Sequence, residues 1–228
     1  MTVMKYEAER TLYPQHPTWD DILGHCGRDL DNLLSENGLE DYDIFTGQDY
    51  LTSWIASMIR NPETPLPYLF FYGNQNCGKS TFREAVDILF KTSSVQADHA
   101  IYNKIGCNEE LEGAVFCYLE ELCDCVSDRA NAERLERYVR GSQLLIHNRD
   151  SDEYTVPNLT HWCHMANQRK SCPYLGGYPT TIIRVFDLEY EMPKRKLLQA
   201  LKNEAPHFMR TIMNFQLPLS LPVLETGR

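Results

Sequence analysis

The chain has 228 residues, 43% of them hydrophobic and 24% charged, with a formal net charge of −10. That is enough apolar mass for one large domain, or for one with a small appendage. The charge excludes a whole-surface basic field, so nucleic acid would have to be held by a local basic strip, or by cations that a ring of subunits concentrates in a channel. No stretch approaches the ~18 consecutive apolar residues of a membrane span. Met1-Thr2-Val3-Met4-Lys5-Tyr6 lacks the apolar run of a secretory signal. The expected location is therefore a cytoplasm, with no membrane partner.

Residues 1–47 read as a small helical N-terminal region. Thr18 is a capping-type residue, Asp20 and Asp21 follow it, and Ile22, Leu23, Leu30, Leu33 and Leu34 fall near helical spacing before Asn37-Gly38 stops the run. From Asp49, the positions Tyr50, Leu51, Trp54, Ile55, Met58 and Ile59 make an amphipathic helix that Pro62 and Pro65 end. Tyr68-Leu69-Phe70-Phe71-Tyr72 is a continuous apolar run, as in a strand buried on both faces. A helix is predicted from Thr81 to Phe90.

A second apolar run, Ala114 to Leu119, ends in Glu120-Glu121. A helix follows over 128–140 and breaks at Gly141-Ser142. Leu144-Leu145-Ile146 and Tyr154-Thr155-Val156 flank a polar tip and predict a β-hairpin. His161 to Ala166 and Thr181 to Phe186 predict two more core strands. A helix over 197–215, interrupted at Pro206, belongs to a C-terminal tail of 196–228. The alternation of buried strands and helices over 48–195 predicts an α/β fold with a mainly parallel central sheet flanked by helices.

Eight cysteines are scattered irregularly, several inside apolar runs, and read as free buried thiols. Cys123-x-Cys125 and the group Cys163, His164, Cys172 lack the paired spacing that wraps a tetrahedral zinc ion.

The chemistry concentrates in Gly73-Asn74-Gln75-Asn76-Cys77-Gly78-Lys79-Ser80, which meets the phosphate-loop pattern in full and stands between a strand and a helix that Thr81 continues. Backbone N–H groups at such a helix start cradle phosphates. The glycines at 73 and 78 permit the loop's backbone angles. Lys79 is expected to meet the β- and γ-phosphates of ATP, and the Ser80 hydroxyl to ligate Mg2+. Glu120 ends the next buried strand, where an acid can orient the magnesium shell, and Glu121 can polarise the attacking water. Asn167 ends the strand after that, within reach of the same place.

A phosphate loop, a strand ending in Glu-Glu, a helix, Gly-Ser with a hairpin and a strand ending in Asn together resemble the superfamily 3 helicases, the ATP-driven DNA helicases of viruses, phages and plasmids. The likeness is greatest to the helicase part of the poxvirus-type phage and plasmid primase-helicases. It covers roughly Tyr50 to Arg228, and Leu221 to Thr226 is similar to a segment that follows the motor core in that group. The resemblance implies an AAA+-type P-loop fold, a homo-oligomeric and hexameric ring, ATP hydrolysis between subunits, and a primase domain in a longer protein.

By position, Glu120 and Glu121 match the family's Walker B acids and Asn167 its sensor asparagine. Residues 141–155 match the hairpin that grips single-stranded DNA in the family's central channel, with Arg149 near the place of a family lysine and His147 beside it. One departure stands out. The arginine that the family carries before the strand following the sensor is replaced here by Gly177-Tyr178-Pro179-Thr180-Thr181. A finger would have to come from Arg184, Arg169 or Lys170, or from Arg129, Arg134, Arg137 or Arg140, or it is missing, which would leave a slow or partner-dependent ATPase. The resemblance thus implies an ATP-dependent DNA helicase domain of a replication protein. The alternative is an ATP-binding assembly or regulatory module that unwinds nothing. A small-molecule kinase would need an arginine-rich lid, and the chain has no such segment.

Overall fold

Four of the apolar runs become four strands of one parallel sheet in the computed structural model, which describes residues 16–37, 44–103, 106–120, 128–148, 152–189 and 192–225. The strands are β1 (Tyr68–Tyr72), β2 (Ser94–Gln96), β3 (Phe116–Leu119), β6 (His161–Ala166) and β7 (Thr180–Arg184). They lie in the order β2-β3-β6-β1-β7 with every pair parallel. β2 has no apolar signature, because a three-residue edge strand that is only partly buried needs none. The predicted hairpin forms a separate antiparallel pair, β4 (Gln143–Ile146) with β5 (Tyr154–Pro157).

The unbroken apolar character of β1, β3 and β6 follows from burial on both faces, since successive side chains alternate between them. One face packs Leu69, Phe71, Phe116, Cys163 and Met165 against α1 (Pro17–Gly27), α3 (Gly47–Arg60), α4 (Lys79–Phe90) and α7 (Lys194–Asn214). The opposite face packs Tyr68, Phe70, Cys117, Leu119 and Trp162 against α5 (Asp98–Tyr102), α6 (Arg129–Arg140) and the inner side of the hairpin. The short α2 (Asp31–Asn37) follows α1 through a single 3-10 turn. No described helix is long and apolar enough to cross a membrane.

Two of the helices begin at side-chain caps. Thr46 and Asp49 form a reciprocal capping box at the start of α3. Asp128 caps α6 by accepting from the Ala130 N–H. α7 departs from expectation: it runs through Pro206 without interruption. Pro206 and Lys202, whose carbonyl loses its usual donor, are both exposed, so water can take that acceptor. The buried side, carried by Leu201, Phe208 and Ile212, stays intact.

α1 is clamped to this helix. The Thr18 N–H and hydroxyl both donate to Glu204, at 2.8 and 2.7 Å. The Trp19 indole N–H donates to the Leu201 carbonyl at 3.0 Å, and its ring stacks on Phe208 at 4.2 Å.

β6 buries two histidines. His161 donates its Nε2–H to the Pro62 carbonyl at 3.0 Å. His164 has no partner for either ring nitrogen among the described residues and stands against the rings of Phe70 and Tyr68. Burial lowers their pKa values, to about 4 for His161 and about 3 for His164. The unfolded chain therefore takes up protons near pH 6.5 that the folded chain refuses. Stability is complete above that pH and falls with acid, by about 1.4 kcal/mol per pH unit for each histidine until its folded pKa is reached. Urea unfolding between about pH 7 and about pH 5 should show this slope, and His164→Leu should remove about half of it.

Candidate nucleotide site

Parallel pairing sets the carboxyl ends of β1, β3 and β6 along one edge of the sheet. Tyr72 pairs with Ala166, and Leu119 with His164. The next segments are gathered there: the loop after β1, Glu120 after β3 and Asn167 after β6. All three border one open cavity of about 770 Å3. Ligands of open α/β sheets bind at this edge, where the strand order reverses about a central strand.

The loop turns into α4 at Gly78, which has φ of +100° and stands as the left-handed cap, while Asn76 takes the other positive φ, 63°. Gly73 serves a different purpose from the expected one. Its backbone is not left-handed. A Cβ there would lie 2.2 Å from the Val185 carbonyl oxygen, so glycine is required for close approach. The residues from Gln75 to Thr81 border the main cavity. Gly73 and Asn74 instead border a smaller one of about 270 Å3, with Asn167, Arg184 and Asp187.

The loop is held from three sides. Lys79 is buried, and its ammonium donates to the carbonyls of Gly73 at 2.8 Å and Asn74 at 2.7 Å, with the Cys77 sulfur at 3.4 Å. Its charge is therefore solvated by the loop itself. Asn74 Nδ2 donates to both oxygens of Asp187, at 2.9 and 3.0 Å. From α1, His25 Nε2 lies 2.8 Å from the Cys77 carbonyl, which it meets as a donor.

Nothing in the loop's own pattern announces α1 or the chain after β7, yet both wall the cavity. Ile22 and His25 come from the first, and Leu188, Met192 and Leu197 from the second. They lie far from the motif in sequence and carry no periodicity of their own beyond that of a helix.

Glu120 and Ser80 offer carboxylate and hydroxyl oxygens to the same cavity. These are hard donors of the kind Mg2+ takes together with water and phosphate oxygens. The described residues hold no cluster of three or more His, Cys, Asp or Glu side chains able to bind a metal unaided. Cys163 and His164 point to opposite faces of β6, which separates them as joint ligands. Glu121, Cys123, Cys125 and Arg149 lie outside the described residues.

The hairpin is tied down by Asn108. The N–H of Asn108 donates to the His147 carbonyl at 3.0 Å, its amide donates to the Leu145 carbonyl at 2.9 Å, and its side-chain oxygen accepts from the His147 N–H at 2.7 Å. One residue thus mimics a neighbouring strand. The His147 imidazole is engaged with Glu153, at 2.7 Å.

The arginines are mostly engaged too. Arg129 pairs with Glu133 at 2.7 Å, Arg140 with Glu136 at 2.7 Å, and Arg169 with Glu225 at 2.8 Å. Arg134 donates to the carbonyls of Ile101 and Asn103, at 2.6 and 2.8 Å. Arg184 stacks over Phe186 at 5.1 Å beside the smaller cavity. Arg137 is exposed, and its guanidinium has no hydrogen bond or ion pair with a described residue.

The fold is α/β, a mainly parallel five-stranded sheet flanked by helices, of the Rossmann-like or P-loop type. Residues 71–180, just under half of the chain, match the model of a family described as a family of unknown function (DUF5906). No curated protein matches the sequence. Among solved structures, the fold is similar to the A-form apo structure of the NrS-1 C-terminal region, with a TM-score of 0.63 and 19% identity over 83% of this chain and 46% of that one. It is similar also to the apo structure of NrS-1 residues 305–718, with a TM-score of 0.62 and 20% identity over 84% of this chain and 46% of that one. The chain thus spans less than half the length of the solved chains it matches. At this identity the likeness is one of fold.

Two variants separate loop support from hairpin support. Gly73→Ala should cost on the order of 3 kcal/mol, because the added methyl meets backbone and not a yielding side chain. Its thermal midpoint should drop far more than that of Asn74→Ala. Asn108→Ala should cost about 1–3 kcal/mol, because the Leu145 carbonyl and the His147 N–H lose their side-chain partner. Hydrogen exchange should then rise selectively over 143–157.

Proposed function

We propose that this chain is the ATP-hydrolysing part of a DNA helicase within a replication protein, an AAA+-type motor that works as a homo-oligomeric, hexameric ring on single-stranded DNA. The observation that carries the reading is the convergence of the phosphate loop, Glu120 and Asn167 on one cavity at one sheet edge.

In this reading Lys79 leaves the loop's own carbonyls for the β- and γ-phosphates, an exchange of one set of oxygen acceptors for a more highly charged one. The start of α4 supplies backbone N–H groups to the same phosphates. Ser80 and Glu120 hold Mg2+, which would neutralise charge on the phosphate oxygens. Glu121 orients the attacking water and Asn167 senses the terminal phosphate. The apolar walls from Ile22, Leu188, Met192 and Leu197 suit the flat face of a nucleobase. The stretch 141–155 faces DNA in the ring's channel, Arg149 and His147 are its expected phosphate contacts, and His147 contributes only if it exchanges Glu153 for a phosphate.

A second reading is favoured by the engaged arginines. If no arginine reaches a neighbour's phosphates, the chain is an ATP-binding assembly or regulatory module that hydrolyses slowly and unwinds nothing.

Lys79→Ala should abolish ATP turnover and weaken binding of a fluorescent ATP analogue by at least about a hundredfold. Turnover undiminished in that variant would overturn the site. Single-stranded DNA should raise wild-type ATP turnover, and ATP should shift the mass in solution to that of a ring. ATP binding without stimulation of turnover by single-stranded DNA, whether or not the ring forms, identifies the second reading.

A further inference from the structure

Arg83 stands on α4, less than one turn beyond Ser80, and belongs to no recognised motif. Its side chain is 18% exposed. One terminal nitrogen donates to Glu120 Oε1 at 2.8 Å and the other to Asp87 Oδ2 at 2.8 Å. The guanidinium lies over the Tyr118 ring, 4.8 Å from its centroid. Glu84, itself held by Lys194 at 2.6 Å, approaches the same group at 3.8 Å. Three carboxylates therefore converge on one cation.

The contacts are unequal. Asp87 sits on Arg83's own helix at the i+4 position, and Tyr118 is on the strand beneath it, so Arg83 is fixed without any help from Glu120. Glu120 is the dependent partner. It stands at the exit of β3, borders the main cavity and has a half-exposed side chain. Among the described residues Arg83 is its only side-chain hydrogen-bond donor, and Oε2 has none.

We infer that Arg83 is the positioning residue of the proposed magnesium site: it holds Glu120 by Oε1 and so leaves Oε2 directed to the ion and its water. This rests on the nucleotide reading of the cavity. A carboxylate near a metal is commonly oriented by a fixed neighbour, and loss of that neighbour costs about tenfold or more in metal affinity. An ordinary, partly exposed ion pair would leave metal affinity untouched. A guanidinium that competed with the ion for Glu120 would, on removal, let the metal bind more tightly.

The experiment is equilibrium binding of a fluorescent ATP analogue to the whole chain, in EDTA and across a Mg2+ titration. Arg83→Gln should bind the analogue in EDTA as the wild type does. Its Mg2+ midpoint should rise about tenfold, and Arg83→Lys should recover part of that loss. In ATP turnover, the Mg2+ concentration for half-maximal rate should rise by more than the saturated rate falls. A Mg2+ midpoint that is unchanged or lower in Arg83→Gln overturns the inference. If that variant does not fold, Arg83→Lys decides alone: an intermediate rise supports the inference and an unchanged midpoint overturns it. Wild-type protein that binds no nucleotide in either condition overturns the nucleotide reading and this inference together. Nucleotide binding whose Mg2+ dependence ignores Arg83 overturns only the inference.

Discussion

The contact between Gly73 and the Val185 carbonyl sets the shape of everything around the phosphate loop. β7 pairs with β1 up to Tyr72 and Arg184, and the Val185 N–H then donates to the Tyr72 carbonyl at 2.8 Å, which carries the pairing one residue past the strand. The next carbonyl meets Gly73 at a distance that a methyl group could not share. From there the chain is committed to run along the loop. Asp187 takes Asn74, Leu188 and Met192 reach the cavity wall, and Lys194 finds Glu84 at the start of α7. The loop and the wall opposite it are thus one construction, although more than a hundred residues separate them in sequence.

The same logic explains which features the sequence disclosed. A strand buried on both faces must be apolar at every position, so Tyr68–Tyr72 and His161–Ala166 stand out. The loop from Gly73 to Ser80 is legible as a turn from strand to helix because its pattern has fixed spacing and follows an apolar run. The hairpin is legible because two short apolar runs bracket a polar tip. β2 is not, since Ser94-Val95-Gln96 at a sheet edge answers to no strong burial demand. Pro206 misleads because a helix tolerates proline where the orphaned carbonyl can face water, and exposure is a tertiary property. The purpose of Gly73 is hidden for a related reason: close approach to Val185 is a fact about a distant segment. α1 as a cavity wall is invisible for want of any motif, and the partner of Glu120 for want of knowing which helix lies beneath β3.

Charge tells a parallel story. The chain carries 22 Lys and Arg against 32 Asp and Glu, and the structure uses many of its cations internally. Arg134 holds the end of α5 by its carbonyls, and Arg140 joins α6 to the Gly176 turn. Arg83 gathers carboxylates at the site. The surface is left with a net negative field, so any contact with a polyanion must rely on positions chosen locally, at the hairpin or across subunits, and not on bulk attraction.

The segment after α7 returns to the sheet and lies along its β7 side. The Ile182 N–H donates to the Leu224 carbonyl at 3.0 Å, the Leu224 N–H donates to Thr181 Oγ1 at 3.2 Å, and the Tyr50 hydroxyl donates to the Pro222 carbonyl at 2.9 Å. A parallel sheet with a bare outer strand offers unpaired N–H and C=O groups to any other chain that arrives extended. Here that side is already occupied by the protein's own backbone, and the far side ends in a strand of three residues. The sheet is consequently a poor template for strand addition in either direction. Any chain that docks on this one would therefore find side-chain surfaces and loops more readily than a free sheet edge.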